Sequence, residues 1–194
     1  LIYIEFIKVN FSKIFFSSAF IKAFFNSIFI SIITGLFVSF FGLFISCILV
    51  INYKNYIFQQ SLFLISSVIL IISPIIFSLG YFIFFQPIIH YLYIKFFIII
   101  LINAIFLLPF AILIFFNNLK NLYFTFDDLR KSYRIKLIMF FKIIFPLFKK
   151  NFLYVFSFST VITFGDFTII SFFRSEDFET LPSFLFKLIS TYKF

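Results

Sequence analysis

Four long stretches of this chain carry almost no charged side chains. They cover residues 23–51, 61–85, 96–116 and 152–173; the first three contain no Asp, Glu, Lys or Arg, and the fourth contains only Asp166. The hydrocarbon core of a bilayer is about 30 Å thick, and a helix of about 17–25 apolar residues crosses it. Each stretch therefore predicts a membrane-spanning helix.

The composition excludes the other common classes of protein. Hydrophobic residues make up 63% of the chain and charged residues 12%, whereas soluble domains carry about 25% charged residues. Disordered chains combine low hydrophobicity with high net charge. Strands of a membrane barrel alternate polar and apolar residues, while these stretches are apolar on every face. We therefore expect an all-α, polytopic transmembrane bundle with four spans, forming one domain over residues 1–194.

One connection is long and basic, and it predicts the orientation of the bundle. Residues 117–151 contain eight Lys or Arg residues against Asp127 and Asp128. Basic residues in short connections mark the cytoplasmic side of a membrane. The sequence thus predicts a cytoplasmic loop over 117–151 in a multi-pass membrane protein.

The same connection has the pattern of a helix. Thr125 followed by Asp128 is typical of a capping box, and it predicts a helix that begins there. Basic residues follow toward the end of the segment, where they complement the helix dipole. One interpretation is an amphipathic helix that rests on anionic lipid headgroups. The other is a helix that contacts a partner protein.

The end of this connection resembles a motif of binding-protein-dependent ABC importer permeases. That motif reads E-A-A, three residues, G, nine residues, I, one residue, L-P. Counted from Asp127, the chain places Ile143, Phe145 and Pro146 in register. It departs from the motif at the two alanines, which are Asp128 and Leu129, and at the glycine, which is Tyr133.

Other segments are similar to the thiamine-transporting members of this family. They are Ser73-Pro74 with Gly80, Asn103-Ala104 with Pro109 and Asn117, Phe164-Gly165-Asp166-Phe167, and the run from Ser175 to Pro182. The similarity begins near Ala23 and covers most of the C-terminal half of such a permease. It implies a fragment that lacks a last span and the N-terminal half. Permeases for iron, sulfate, molybdate or polyamine carry similar pieces, and a non-functional remnant is a further alternative.

The resemblance implies transport without chemistry in this chain. Cytoplasmic ATP-binding subunits would hydrolyse ATP, a periplasmic binding protein would deliver thiamine or its phosphates, and another permease half would complete the pathway in the lipid bilayer. The connection would form a coupling helix that docks on the ATP-binding subunit. The residues expected at that contact are Asp127, Arg130, Tyr133, Arg134, Ile143 and Pro146.

Asp166 is the one ionisable residue in a predicted span. A carboxylate at the centre of a bilayer costs roughly 2.5–3.5 kcal/mol on insertion scales, so it should face the bundle or a watery cavity. It could line the pathway of a cationic thiazolium substrate, with aromatic rings nearby. Alternatively, it could cap or bond a neighbouring helix.

No catalytic residue, cofactor or metal site is predicted. Cys47 is the only cysteine and His90 the only histidine, so neither a disulfide nor a metal cluster can be built from them. None of the four glycines begins a phosphate-binding loop. The net charge of +9 is explained by membrane orientation, and no nucleic-acid partner is expected. We expect a transport permease rather than an enzyme.

Overall fold

The computed structural model describes residues 16–51, 60, 64, 68–133, 137–175 and 178–191. Within these, side chains are described except at 51, 123–133, 137–145, 147 and 191. In these described residues the helices are, in chain order, α1 (Ser18–Ile51), α2 (Pro74–Phe84), α3 (Leu92–Tyr133), α4 (Leu137–Gly165), α5 (Ile170–Phe173) and α6 (Leu181–Thr191). The described part contains no strand beyond one isolated bridge between Ser175 and Phe178, so the all-α prediction is confirmed there.

Helix α1 is the centre of the bundle. It packs along both α3 and α4, while α3 and α4 meet each other much less. Phe29 contacts Phe96 with ring centroids 5.6 Å apart, and Gly42 lies against Ala111, so α1 and α3 run parallel. Helix α4 runs the opposite way, because Phe40 contacts Phe152 while Gly35 lies against Thr160.

Small residues allow α1 to approach its neighbours closely. A Cβ atom added at Gly35 would collide with the Thr160 hydroxyl of α4, and one added at Gly42 would lie 2.7 Å from the Ala111 Cβ of α3. Ser46 continues the same face and donates a hydrogen bond to the Ile112 carbonyl, 3.2 Å away. Such contacts are the usual basis of helix association where no water drives burial.

Two of the described helices are long and apolar enough to cross a membrane. They are α1 over Ser18–Val50 and α3 over Leu92–Leu122, whereas α2 and α6 are shorter apolar helices. With a rise of about 1.5 Å per residue, the 11 residues of α2 reach only about 16 Å. The helix is also interrupted at Ile72 and Ser73 before α2 begins at Pro74. The span predicted over 61–85 is therefore not one continuous helix.

The predicted spans over 96–116 and 152–173 have different boundaries in the structure. Helix α3 has 42 residues and continues through Pro109 and Thr125 to Tyr133. No helix begins at Thr125, so the capping-box prediction is wrong. Helix α4 begins at Leu137 and ends at Gly165, and the stretch predicted to continue to Phe173 turns after Gly165 and enters α5.

Much of the helical surface is apolar and exposed. The exposed fraction is 64% for Phe25, 62% for Phe44 and 65% for Phe97. Tyr154 and Val161 add to this surface on α4. Soluble monomers rarely expose contiguous apolar patches of more than a few hundred Å². The outer surface of the bundle therefore needs an apolar environment or partner.

Candidate functional site

The predicted coupling residues lie at one end of the bundle, on the end of α3 and the beginning of α4. Asp127, Arg130 and Tyr133 belong to the last turns of α3, and Ile143 and Pro146 belong to the first half of α4. Arg134 lies outside the described residues. We call this the basic end, because Lys149 and Lys150 are exposed there.

At the basic end, α3 and α4 form an antiparallel pair. Phe110 contacts Phe158, and Phe115 contacts Phe148 with ring centroids 5.4 Å apart. Of the six coupling residues, only Pro146 has a described side chain, and it is exposed. The side chains of the other five lie outside the described residues, so the docking contact stays a prediction.

Asp166 lies at the opposite end of the bundle, directly after α4. Its Oδ1 accepts hydrogen bonds from the backbone N–H groups of Thr168 at 2.9 Å and Ile169 at 3.4 Å. These bonds form the turn that leads into α5, since a short carboxylate side chain readily accepts from the N–H groups two and three residues later. Asp166 therefore bonds to the turn that follows it, while α5 has Ile169 as its N-cap and no side-chain hydrogen bond at that cap.

The second carboxylate oxygen of Asp166 is in a different environment. Oδ2 is buried and has no hydrogen-bond partner. The amide side chain of Asn103 on α3 lies close to the carboxylate, while its Nδ2 donates to the Ile99 carbonyl at 3.1 Å. Asn103 is 3% exposed. Oδ1 of Asp166 therefore accepts hydrogen bonds from the backbone of the following turn, whereas Oδ2 is buried without a hydrogen-bond partner.

Two threonine hydroxyls share this lack of partners. Thr34 on α1 is 0% exposed and Thr163 on α4 is 2% exposed. The Oγ1 atom of each is buried without a hydrogen-bond partner. By contrast, the Thr160 hydroxyl donates to the Phe156 carbonyl at 2.7 Å. A buried hydroxyl without a partner costs roughly 1–3 kcal/mol, so each of these two hydroxyls lowers the stability of the fold in the arrangement described.

A second polar cluster at the Asp166 end was not predicted from the sequence. Glu179 Oε1 lies 2.8 Å from Lys187 Nζ and 3.5 Å from Arg174 Nε. Its backbone carbonyl accepts from Asn26 Nδ2 at 2.9 Å. Glu179 and Lys187 are eight positions apart, so no helical spacing pointed to their contact. The similarity of the run from Ser175 to Pro182 to a family segment was the only available signal.

Hydrogen bonds from α1 and α3 complete the attachment of this segment. Ser27 Oγ accepts from the Leu181 N–H at 2.7 Å, and Lys95 Nζ donates to Ser175 Oγ at 2.7 Å. The Thr180 N–H donates to Ser183 Oγ at 2.9 Å. The beginning of α6 is therefore held both by its own cap and by α1.

The described residues contain no group of three or more His, Cys, Asp or Glu that could hold a metal ion. His90 is exposed in the turn between α2 and α3. The charged side chains described at the Asp166 end include Asp166 and the cluster of Glu179 with Lys187 and Arg174. Comparisons of the chain with protein-family models and with curated protein sequences find no match.

Proposed function

We propose that this chain is a membrane-spanning permease subunit of a binding-protein-dependent ABC importer, located in a bacterial inner membrane. The observation that carries the proposal is the length and continuity of α3. At about 1.5 Å per residue, its 42 residues extend about 63 Å, roughly twice the hydrocarbon thickness of a bilayer. A helix of this length can join a membrane span to a contact outside the membrane.

The environment of the helices supports a location in the membrane. Helix α1 carries a row of exposed aromatic side chains, among them Phe25, Phe29, Phe40 and Phe44. Its opposite face is buried through serine and glycine residues. This division is expected for a helix that faces lipid on one side and a closely packed bundle on the other.

The continuity of α3 favours a protein partner over a lipid-surface helix at the basic end. A helix that lies flat on headgroups must leave the span at a sharp angle, which requires a break in the helix. Helix α3 has no such break between Asn117 and Tyr133. We therefore propose that Asp127, Arg130, Tyr133 and Arg134, together with Ile143 and Pro146, transmit movement between an ATP-binding subunit and the bundle.

Thiamine or its phosphates are the proposed substrates, on the similarity of the Gly165-Asp166-Phe167 and Thr180-Leu181-Pro182 segments to thiamine permeases. In the arrangement described, the Oδ2 atom of Asp166 is buried, so a thiazolium ring could reach it only if α3 and α4 separate. Such separation is the usual movement of a transporter that alternates between two openings. Thiamine uptake that is unchanged by Asp166→Asn would exclude a role of this carboxylate in the pathway.

Copurification tests the coupling role. The chain is expressed with the ATP-binding subunit of a thiamine importer from the same organism, and the amount of bound subunit is measured. We expect binding by the native chain and a loss of at least about tenfold with Asp127→Arg, since a like charge at a docking surface costs more than about 1.4 kcal/mol. His90→Arg adds a positive charge at the opposite, exposed turn and should leave binding unchanged.

The outcomes are distinct. Binding that survives Asp127→Arg would contradict the docking surface but not the permease class. No binding by the native chain would contradict the coupling proposal itself and favour the remnant alternative. Tyr133→Gly adds a separate measurement: we expect ATPase stimulation to fall, because Tyr133 belongs to the proposed contact, and kept or increased stimulation would remove Tyr133 from that contact.

A further inference from the structure

The helical segment that precedes α2 is interrupted near the middle of the proposed membrane region. Residues 68–71 are helical, Ile72 and Ser73 are not, and α2 begins at Pro74. In the first turn of α2, the Phe77 ring contacts the Phe106 ring of α3 with centroids 5.4 Å apart. Phe106 is next to the midpoint of the apolar part of α3, Leu92–Leu122. The break at residues 72–73 therefore lies close to the middle of that span.

Two backbone N–H groups at the break have no hydrogen-bond partner among the described residues. The Phe77 N–H donates to the Ser73 carbonyl at 3.1 Å, which is the first bond of α2, and Pro74 has no N–H group. The N–H groups of Ile75 and Ile76 precede that bond, and no bond from either of them is found. The Ser73 hydroxyl does not cap them. The beginning of α2 is therefore left with two unpaired donors.

The surface around the break is open. The exposed fraction is 83% for Ile71, 52% for Ile75 and 68% for Ile76, and Ser73 and Pro74 are exposed as well. Lipid tails cannot accept hydrogen bonds, so irregular backbone at membrane depth is found only where protein covers it or where it lines a water-filled cavity. Either arrangement requires a second protein surface opposite the break.

An apolar groove continues from the break along α2. It has a volume of about 520 Å³, and its lining includes Ile72, Ile76, Gly80 and Phe84. A Cβ atom added at Gly80 would meet nothing within 4 Å, whereas the two glycines of α1 each lie against another helix. Small residues in membrane helices are enriched where another helix approaches closely. The groove therefore has the form of a helix-packing surface that lacks its partner.

We propose that a second copy of this chain packs on this face, with the two α2 helices side by side about a two-fold axis. The hydrogen-bonding groups of the face argue for an identical partner. Each copy has unpaired donors at Ile75 and Ile76 and a Ser73 hydroxyl that does not cap its own helix, so each copy supplies the acceptor that the other lacks. Residues 68–85 carry no charge, so two copies do not repel each other there. A two-fold contact is complete with two copies. The inference rests on the proposed membrane location and not on transport.

Disulfide formation in membrane vesicles tests the contact. In a Cys47→Ser background, a single cysteine replaces Gly80 or Ile76, and copper phenanthroline is added as the oxidant. A disulfide requires Cα atoms within about 7 Å of each other, so we expect a product of twice the 23.2 kDa mass of the chain. Val161→Cys on α4 is the matched control, because Val161 is 70% exposed and Ile76 is 68% exposed. No dimer from either α2 position, or as much dimer from Val161→Cys, would overturn the proposal.

Bulky substitutions separate a specific contact from random collisions. Association is measured by energy transfer between labelled chains in vesicles of phosphatidylcholine and phosphatidylglycerol, at increasing lipid dilution. Ile76→Trp should weaken association by at least about fivefold, because it overpacks the contact. Ser73→Ala should weaken it by about threefold to twentyfold, the range for hydrogen bonds between membrane helices. Val161→Trp should leave it unchanged, and an equal effect of the two Trp variants would contradict the contact.

Alkaline extraction of the same vesicles distinguishes two failures and shows whether each variant is inserted. A native chain that is washed off the membrane would contradict the membrane location on which both proposals rest. A native chain that stays in the membrane but forms no dimer would overturn the second-copy contact and leave the permease proposal standing. A cysteine at Ile76 that links only to a protein of different mass would have the same meaning.

Discussion

Gly42 of α1 lies directly against Ala111 of α3: a Cβ atom at Gly42 would be 2.7 Å from the Ala111 Cβ and 3.4 Å from the Phe115 ring. Real Cβ atoms do not approach other carbons this closely, so the two helices would have to move apart. Ala111 and Phe115 are 1% and 0% exposed, so both side chains lie within the packed interior of the bundle. The contact therefore sets the distance between the two longest apolar helices.

This contact predicts the effect of adding one methyl group. Gly42→Ala should lower the free energy of unfolding by about 1–3 kcal/mol, the usual cost of overpacking, although Ala is the better helix former. The matched control is Gly80→Ala in α2, where an added Cβ meets nothing within 4 Å. Gly80→Ala should be neutral or stabilising by about 1 kcal/mol. Unfolding of both variants in mixed micelles checks the difference, and equal stability would contradict the close approach.

The hydrogen bond from Leu181 to Ser27 predicts how α6 is held. The first N–H groups of a helix have no partner within it, and Ser27 Oγ accepts one of them at 2.7 Å. Ser27→Ala should destabilise the attachment of α6 by about 0.5–2 kcal/mol, as loss of a cap does. Ser31→Ala is the matched control, because its hydroxyl bonds to Ile28 of its own helix. Hydrogen exchange over residues 181–190 should be faster only in Ser27→Ala.

The ion pairs of Glu179 predict a second, separable effect on the same segment. Glu179→Gln weakens the contacts with both Lys187 and Arg174 while keeping side-chain size. Lys187 and Arg174 are partly exposed, at 47% and 31%, so each pair should contribute about 0.2–1 kcal/mol. A double-mutant cycle with Lys187→Met measures the coupling directly. Additive effects of the two substitutions would show that this ion pair does not stabilise the segment.

The charge distribution predicts which end faces the cytoplasm. In a Cys47→Ser background, single cysteines are placed at Lys150 and at His90, both exposed in the structure. Because basic residues remain on the cytoplasmic side, a membrane-impermeant maleimide should label His90→Cys in intact cells. It should label Lys150→Cys only after the membrane is opened. The reverse pattern would invert the proposed orientation and place the coupling residues outside.

The apolar helices could be predicted from the sequence because few other structures are compatible with a long apolar run that contains no charged residue. The exact helix boundaries could not. The pattern at Thr125 and Asp128 resembles a helix start, but the backbone N–H groups there are already bonded within α3, which began 33 residues earlier at Leu92. A cap has a function only where such groups are free. The capping pattern at Thr125 and Asp128 therefore does not start a helix, because the backbone there is already part of α3.

The polar contacts were predictable only in part. Asp166 was identified because a lone carboxylate in an apolar run is costly, but its bonds to the backbone of Thr168 and Ile169 depend on the turn after α4, which the sequence did not predict. The partners Asn26 and Glu179 are 153 positions apart. No periodic pattern connects residues at such a separation, because their meeting depends on how α1 packs beside the end of the chain.

The hydroxyls of α1 have a consequence for the order of biosynthesis. Ser31 bonds to the Ile28 carbonyl and Ser39 to the Gly35 carbonyl, so both are satisfied within α1, which is synthesised before α3. In the proposed membrane setting, α1 could therefore move from the translocon into lipid before α3 is made, because these two hydroxyls would not be left without hydrogen-bond partners. Ser46, by contrast, finds its partner Ile112 only when α3 arrives. Helix α1 thus has two hydroxyls that need no other helix and one, that of Ser46, that contributes to the packing of α3.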